Sequence, residues 1–387
     1  MRATAAVAVA AIVFAGCGGG RHPAPTPTRS APPHRTAPSD DQLIEDVLHD
    51  RADALASGNR RAYLMTSAPR RRRADSAAFD RAAALPLRAV TMDVAALDVT
   101  GTRAAARVRE RYGIERIAGT FESTRRLELV KRGGRWRVAA VRGARGFPPW
   151  EVGRFSVRRT PHFIVLVPQG IAPRELLATL ESGYRAMKAR LLRGHLRRRY
   201  LVVAAADAAQ ARTLTRQIRG VETIAAISDA TISEQGPARA VSKVIALRLL
   251  VVMSAFADLD TATQRRTIAH ELTHAALASL TSGRTPAWLV EGVAMYVSGD
   301  RRAAPPGADL AALSRPLAIA RLGGLPQARA YAASSAAAFA IADRFGARRL
   351  LALYNVFNDA SLRGKPGPRL VDRALRRVLG IGLRSLP

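Results

Sequence analysis

From residue 42 onward the apolar positions return every three or four residues. In QLIEDVLHDRADALASGNRRAYLMTSA, Leu43, Ile44, Val47, Leu48, Ala54 and Leu55 fall at helical spacing, which predicts an amphipathic helix. Ser57-Gly58-Asn59 supplies a stop before a second, short helix. The period then changes. AVTMDVAALDV, RAAARVRERYGI and STRRLELVKRGGRWRVAAV alternate or run apolar, and Lys131-Arg132-Gly133-Gly134-Arg135 reads as a hairpin turn, with Trp136 and Val138 on one strand face. Further on, 163–167, 201–205 and 244–252 are apolar, β-branched runs, separated by polar loops and by the helical stretch APRELLATLESGYRAMKARLL. They predict strands of a mixed sheet. The last run leads through Asp258-Leu259-Asp260-Thr261 into RRTIAHELTHAALASL, with Thr261 and Gln264 at capping-box spacing and an expected helix end at Ser282-Gly283. In TPAWLVEGVAMYVSG, Thr285 is the expected cap and Pro286 the first-turn residue of a further helix.

These patterns give an α+β chain. At 387 residues it has room for two ordinary domains and a tail, placed at 41–150 and 151–387. The composition, 48% hydrophobic with only 5% aromatic, is that of a globular protein. A formal net charge of +31 raises the question of nucleic acid. The arginine clusters at 70–73 and 197–199 are short and scattered, and no aromatic residues interleave with them as stacking platforms. No specific nucleic-acid partner is expected; attraction to an anionic membrane or wall surface fits better. In the first unit Asp93, Asp98, Glu110, Glu115, Glu122 and Glu128 sit beside arginines, the expectation for a solvated strand face, and no acid-base pair stands out.

The front end carries an address. MRATAAVAVAAIVFAGCGGG has one early positive charge and an apolar run at 5–15, too short to span a bilayer and suited to a signal peptide. Phe14-Ala15-Gly16-Cys17 resembles a bacterial lipobox. That resemblance implies a signal at 1–17, lipid on Cys17, and an extracytoplasmic protein anchored to the cell membrane. Cys17 is the only cysteine, so no disulfide or thiolate metal site can form within one chain. The Pro/Thr-rich stretch 18–40, which holds His22 and His34, reads as an extended tether.

The candidate chemistry lies in HELTH. Residues four apart on a helix are offset by roughly 40°, so His270 and His274 can offer nitrogens to one ion, while Glu271 lies roughly 100° around and can act on a water beside it. Such a site needs a third protein ligand. Glu291, sixteen residues beyond His274, is the candidate, since a returning helix would carry it past the histidines and Gly292 and Ala294 permit close packing. The alternative for Glu291 is an ordinary carboxylate near a helix N-terminus. HELTH followed by PAWLVEGVAMYVSG resembles the gluzincin metallopeptidases, in particular the bacterial peptidase MA-like group. The likeness spans roughly residues 155 to 380 and is concentrated between 265 and 300.

It implies a zincin domain with one zinc ion held by His270, His274 and Glu291, and Glu271 as general base. It also implies an oxyanion-stabilising tyrosine after the third ligand, for which Tyr331 is the candidate and Tyr296 the reserve; packing is the alternative role for either. Two departures qualify the likeness. Met295 stands where thermolysin-like enzymes carry an orienting aspartate, so the partner that orients the ligands is unidentified. VVMSAFADL precedes the helix in place of an amine-binding G-x-M-E-N stretch, which favours an endopeptidase. The strand at 244–250 is the expected main-chain partner of an extended peptide substrate. The first unit, with helices followed by a sheet ending in LELVKRGGRWRVAAV, resembles the nuclear transport factor 2-like cone, which implies a binding or spacing role. The other readings are a catalytically silent surface scaffold and a cell-wall amidase. His49, His162 and His195 have no partner that the sequence identifies.

Overall fold

The helical spacing at the front of the chain produces α1 (Asp40–Ala56), capped by Ser39, whose Oγ accepts from the Gln42 N–H. Ile44, Leu48, Ala52 and Leu55 of α1 are buried. Gly58 turns the chain at φ 71°, and Asn59 caps α2 (Arg60–Met65) by accepting from the Ala62 N–H. The computed structural model describes residues 38–143, 146–191, 196–215, 224–232, 244–316, 319, 322 and 324–387. The expected signal, the tether up to residue 37 and Cys17, His22, His34 and His195 lie outside the described residues.

After α3 (Arg72–Ala83) come β1 (Leu87–Thr100), β2 (Arg103–Ile114), β3 (Phe121–Arg132) and β4 (Arg135–Arg142), a four-stranded antiparallel meander in the order β1-β2-β3-β4. Gly133 and Gly134, at φ 56° and 73°, make the tight β3–β4 turn, since both central residues of a type I′ turn need positive φ. Trp136 and Val138 are buried.

One expectation fails here. Glu110 is not on a solvated face; it is fully buried. Ala104, Ala106, Val108, Tyr112 and Ile114 are also buried along β2, and period-2 alternation puts Glu110 among them. Its carboxylate meets the buried Arg125 guanidinium of β3, whose Nη1 is 3.0 Å from Oε1 of Glu151 in α4 (Pro149–Val152). The other acids behave more nearly as expected: Asp93–Arg111 and Glu128–Arg142 are exposed pairs.

The second sheet has five strands in the order β5-β6-β7-β9-β8, namely β5 (Phe155–Arg159), β6 (Phe163–Pro168), β7 (Tyr200–Ala205), β8 (Ala226–Ile232) and β9 (Val244–Val252). β6, β7 and β9 run parallel, and β5 and β8 are antiparallel edges. The fold is therefore mixed α and β, with one antiparallel and one mixed sheet. β6 and β7 are buried along their whole length, as central strands covered on both faces must be. Phe163, Val165 and Val167 pack into a core with the helices, while Ile164, Leu166, Leu201, Val203 and Leu250 share a core with the meander.

α5 (Arg174–Arg190) and α6 (Ala208–Leu214) fill the crossovers, and α7 (Met253–Ala257), α8 (Thr261–Leu277), α9 (Ala287–Ser298), α10 (Gly324–Phe345), α11 (Ala347–Val356) and α12 (Pro368–Leu379) follow. β5, β8, α3, α4, α6 and α7 have no counterpart in the sequence pattern. The cap of α8 is Asp260, one residue before the expected Thr261, and α8 stops at Leu277, short of Ser282-Gly283. Pro286 is the N-cap of α9, while Thr285 Oγ1 accepts from the Ser282 N–H at 3.0 Å. Among the described residues no helix is long and apolar enough to cross a membrane.

The buried Glu110–Arg125 pair gives a stability test. Arg125→Met alone strands the buried Glu110 carboxylate and removes a donor from Glu151, and is expected to cost about 3–5 kcal/mol. Adding Glu110→Leu should recover more than half of that loss in urea unfolding. Additive losses would mean that the two side chains do not depend on each other.

Candidate metal centre

α8 is fixed from behind. Ile268, Leu272, Ala275 and Ala276 are buried, and α5 approaches so closely that a Cβ on Gly183 would lie 2.6 Å from Ile268 Cγ2. The outward face carries His270 and His274 one turn apart, with rings edge-to-face at 4.6 Å between centroids. Their Nε2 atoms are 2.9 Å apart.

α9 supplies the third group. Trp288, Leu289, Val293, Ala294, Met295 and Val297 are all buried, so its place is set by apolar contact on nearly every side. A Cβ on Gly292 would sit 2.5 Å from the Ser334 carbonyl oxygen. The close packing expected of this glycine is thus real, but it is against α10. From α9, Glu291 Oε2 reaches 3.2 Å from His270 Nε2 and 3.4 Å from His274 Nε2.

The nitrogen, nitrogen and oxygen donors all lie within 4.8 Å of one another. The three side chains are 18%, 20% and 19% exposed, leaving one side open. Glu291 Oε2 is buried yet aligned with neither ring as a hydrogen bond, and two Nε2 atoms at 2.9 Å can share at most one proton. A buried acceptor without a donor is costly. A cation between the three atoms would satisfy all of them, and two imidazoles with a carboxylate suit zinc. These residues therefore form a candidate metal site.

Burial disfavours the His274 imidazolium, but the Glu291 carboxylate more than offsets it and holds the ring up at about 9. Burial likewise works against the Glu291 carboxylate, and His274 and His270 hold it well below the usual range.

Glu271 stands outside the three-donor cluster. Its Oε2 accepts the Ser228 N–H of β8 at 2.7 Å. Burial pushes its carboxyl up, against the pull of His274 and His270. The strand expected to receive substrate, 244–250, cannot do so by edge pairing, because β9 is hydrogen-bonded on both sides by β7 and β8. Among the described residues, the edge strand on this side of the sheet is β8.

Tyr331 lies part-buried on α10. Burial pushes its phenol up, and the Glu291 and Glu271 carboxylates push the same way, which puts the ring within electrostatic reach of both. The Tyr296 ring instead packs edge-on against Phe339 at 5.2 Å. Sequence reasoning missed Tyr354 of α11, which is buried beside Thr281 with the hydroxyls 2.6 Å apart and whose phenol is raised by burial and then by Glu291. Met295 is buried in the core. His162 has a partner after all: Nδ1 is 2.7 Å from Glu181 Oε2, and the ring stacks on Tyr184 at 3.8 Å. His49 is exposed.

No family model matches the chain, and no curated protein matches it. Among solved structures, a SEC-C motif containing protein from Rhodopseudomonas palustris is 16% identical, over 27% of this chain and 78% of that one, with a TM-score of 0.21. So slight a likeness carries no argument.

Two outcomes are expected. At neutral pH the His274 ring, held up at about 9 against an ordinary 6.5, must lose its proton to take a metal ion, so zinc affinity should rise about tenfold per pH unit up to about 9. Competition titration across that range checks it, and a flat profile would contradict the assignment. Gly292→Ala must move α9 against α10 and shift the adjacent Glu291. It should weaken zinc binding by about 10–100-fold in the same assay, while a circular dichroism spectrum stays unchanged.

Proposed function

We propose that this chain is a zinc-dependent peptidase of the gluzincin type, an endopeptidase held at the bacterial cell surface by lipid on Cys17. The observation that carries the reading is the meeting of His270, His274 and Glu291 around one point, with Glu271 next to His270 in the chain and within electrostatic reach of all three. A zinc ion held by these three groups would supply Lewis acidity, polarising a scissile carbonyl and acidifying a water.

The rest is the work of the chain's own side chains. Glu271, adjacent to His270 but free of the ligand set, takes the proton of the attacking water and hands it to the departing amine. Burial raises its proton affinity, which moves a carboxylate toward the range in which a general base can also return the proton. The Tyr331 phenol, pushed up and so kept protonated, donates to the oxygen on which negative charge develops. An extended peptide lying along the sheet would pair with β8, the strand nearest the base. The 41–150 unit, read as a nuclear transport factor 2-like cone, is the spacing or binding module, and the net charge of +31 favours an anionic surface.

The test is hydrolysis of a mixed peptide library by zinc-loaded protein, followed by mass spectrometry. Glu271→Gln should keep one zinc per chain and lose turnover. Tyr331→Phe should lower kcat by about 10²-fold. Wild-type protein that holds zinc and cleaves nothing in the library would overturn the reading.

A further inference from the structure

β8 lies between the meander and the metal helix. On one side its Ser228 N–H bonds Glu271 Oε2 at 2.7 Å. The next residue, Asp229, faces the other way and accepts from Arg248 of β9, Nε at 3.0 Å and Nη2 at 2.9 Å. Arg248 sits in VIALRLLVV in phase with Ala246, Leu250 and Val252, which face the meander's core. It is 7% exposed.

The remaining donors of Arg248 reach outside its own sheet pairing. Nη1 is 3.3 Å from the Tyr112 hydroxyl of β2, and Nη2 also meets the Leu214 carbonyl at the end of α6. The meander is seated on β9 at close range. Gly119, at φ 90°, approaches so closely that a Cβ would lie 1.8 Å from the Ile245 carbonyl oxygen.

A guanidinium in a central apolar strand carries a desolvation cost that a leucine would avoid, so packing alone does not account for it. Register does. Among the described residues β8 pairs with β9 alone, and a slip of one residue would turn Asp229 toward the metal helix and carry the Ser228 amide off Glu271. The Asp229–Arg248 pair excludes that slip, and Tyr112 fixes Arg248 from the other unit.

We propose that Arg248 is a positioning residue for the candidate base: it ties the meander, through Tyr112 and Asp229, to β8, and so holds the Ser228 amide on Glu271. This rests on the reading of Glu271 as general base. The first unit is then a prop for the reaction centre as well as a spacer.

The experiment compares zinc-loaded full chain with Arg248→Met, Arg248→Lys, Asp229→Asn and Tyr112→Phe, following the Ser228 amide proton by NMR with selectively labelled serine, together with zinc content and kcat. The carboxylate acceptor should hold that resonance downfield, and Glu271→Gln should move it upfield. Arg248→Met should move it upfield likewise, with Glu271 intact and zinc retained, and lower kcat at least tenfold. Arg248→Lys, which keeps a charge for Asp229, should retain more of both. If Arg248→Met does not fold, Asp229→Asn and Tyr112→Phe are expected to shift the same resonance by smaller amounts. A Ser228 resonance that stays at its wild-type position in every folded variant overturns the proposal. Zinc-loaded wild type without hydrolysis would fail the peptidase reading instead, and the Ser228 resonance would still decide the linkage.

Discussion

Two imidazole nitrogens and a carboxylate oxygen share a space that ordinary hydrogen bonding cannot fill. His270 and His274 present Nε2 atoms 2.9 Å apart, and Glu291 Oε2 closes on both at 3.2 and 3.4 Å. Left to themselves, such groups would turn toward water. What prevents this is packing: α9 is buried on nearly every side and flush against α10 at Gly292, and α8 is locked to α5 at Gly183. The apolar core bears the cost of bringing the three donors together, which is the preorganisation that a metal site would require.

The same chain uses arginine inside as well as outside. Arg51 of α1 is buried against Asp75 at 2.9 Å and the Tyr63 hydroxyl at 2.7 Å; Arg125 joins Glu110 and Glu151; Arg248 joins Asp229 and Tyr112. Each guanidinium fastens separate elements. Arg51 ties α1 to α2 and α3, Arg125 ties the meander to α4, and Arg248 ties the meander to the mixed sheet. The planar fork, with five donors in fixed directions, can hold several acceptors at set angles, whereas a lysine offers three donors without that fixed geometry. A low aromatic content, 5%, leaves fewer large side chains to do this by shape.

Periodicity carried much of the fold. The 3.6-residue spacing marked α1, α5, α8 and α9, the paired glycines marked the β3–β4 turn, and the apolar runs marked β6, β7 and β9. β5 and β8 escaped because short edge strands with polar residues have neither a continuous apolar run nor a clean alternation. Glu110 was legible and misread: it stands in phase with Val108 and Tyr112, but the arginines beside it suggested a wet face. The His162–Glu181 contact spans elements whose meeting no local pattern marks. The three donors were legible because two lie one helical turn apart and the third lies one turn into a recognisable second helix.

The contact between Ser228 and Glu271 belongs to another class of information. The donor is a backbone N–H, so every residue except proline would supply it at position 228, and no motif can announce it. What must be specified is the register that brings this amide, and not its neighbour, to the carboxylate. With β9 as its one partner among the described residues, β8 leaves that specification to cross-strand side chains such as Asp229 and Arg248. Arg248, the residue we propose positions Glu271, is therefore separated from it by a strand, and it shows in the sequence only as one charge inside an apolar run.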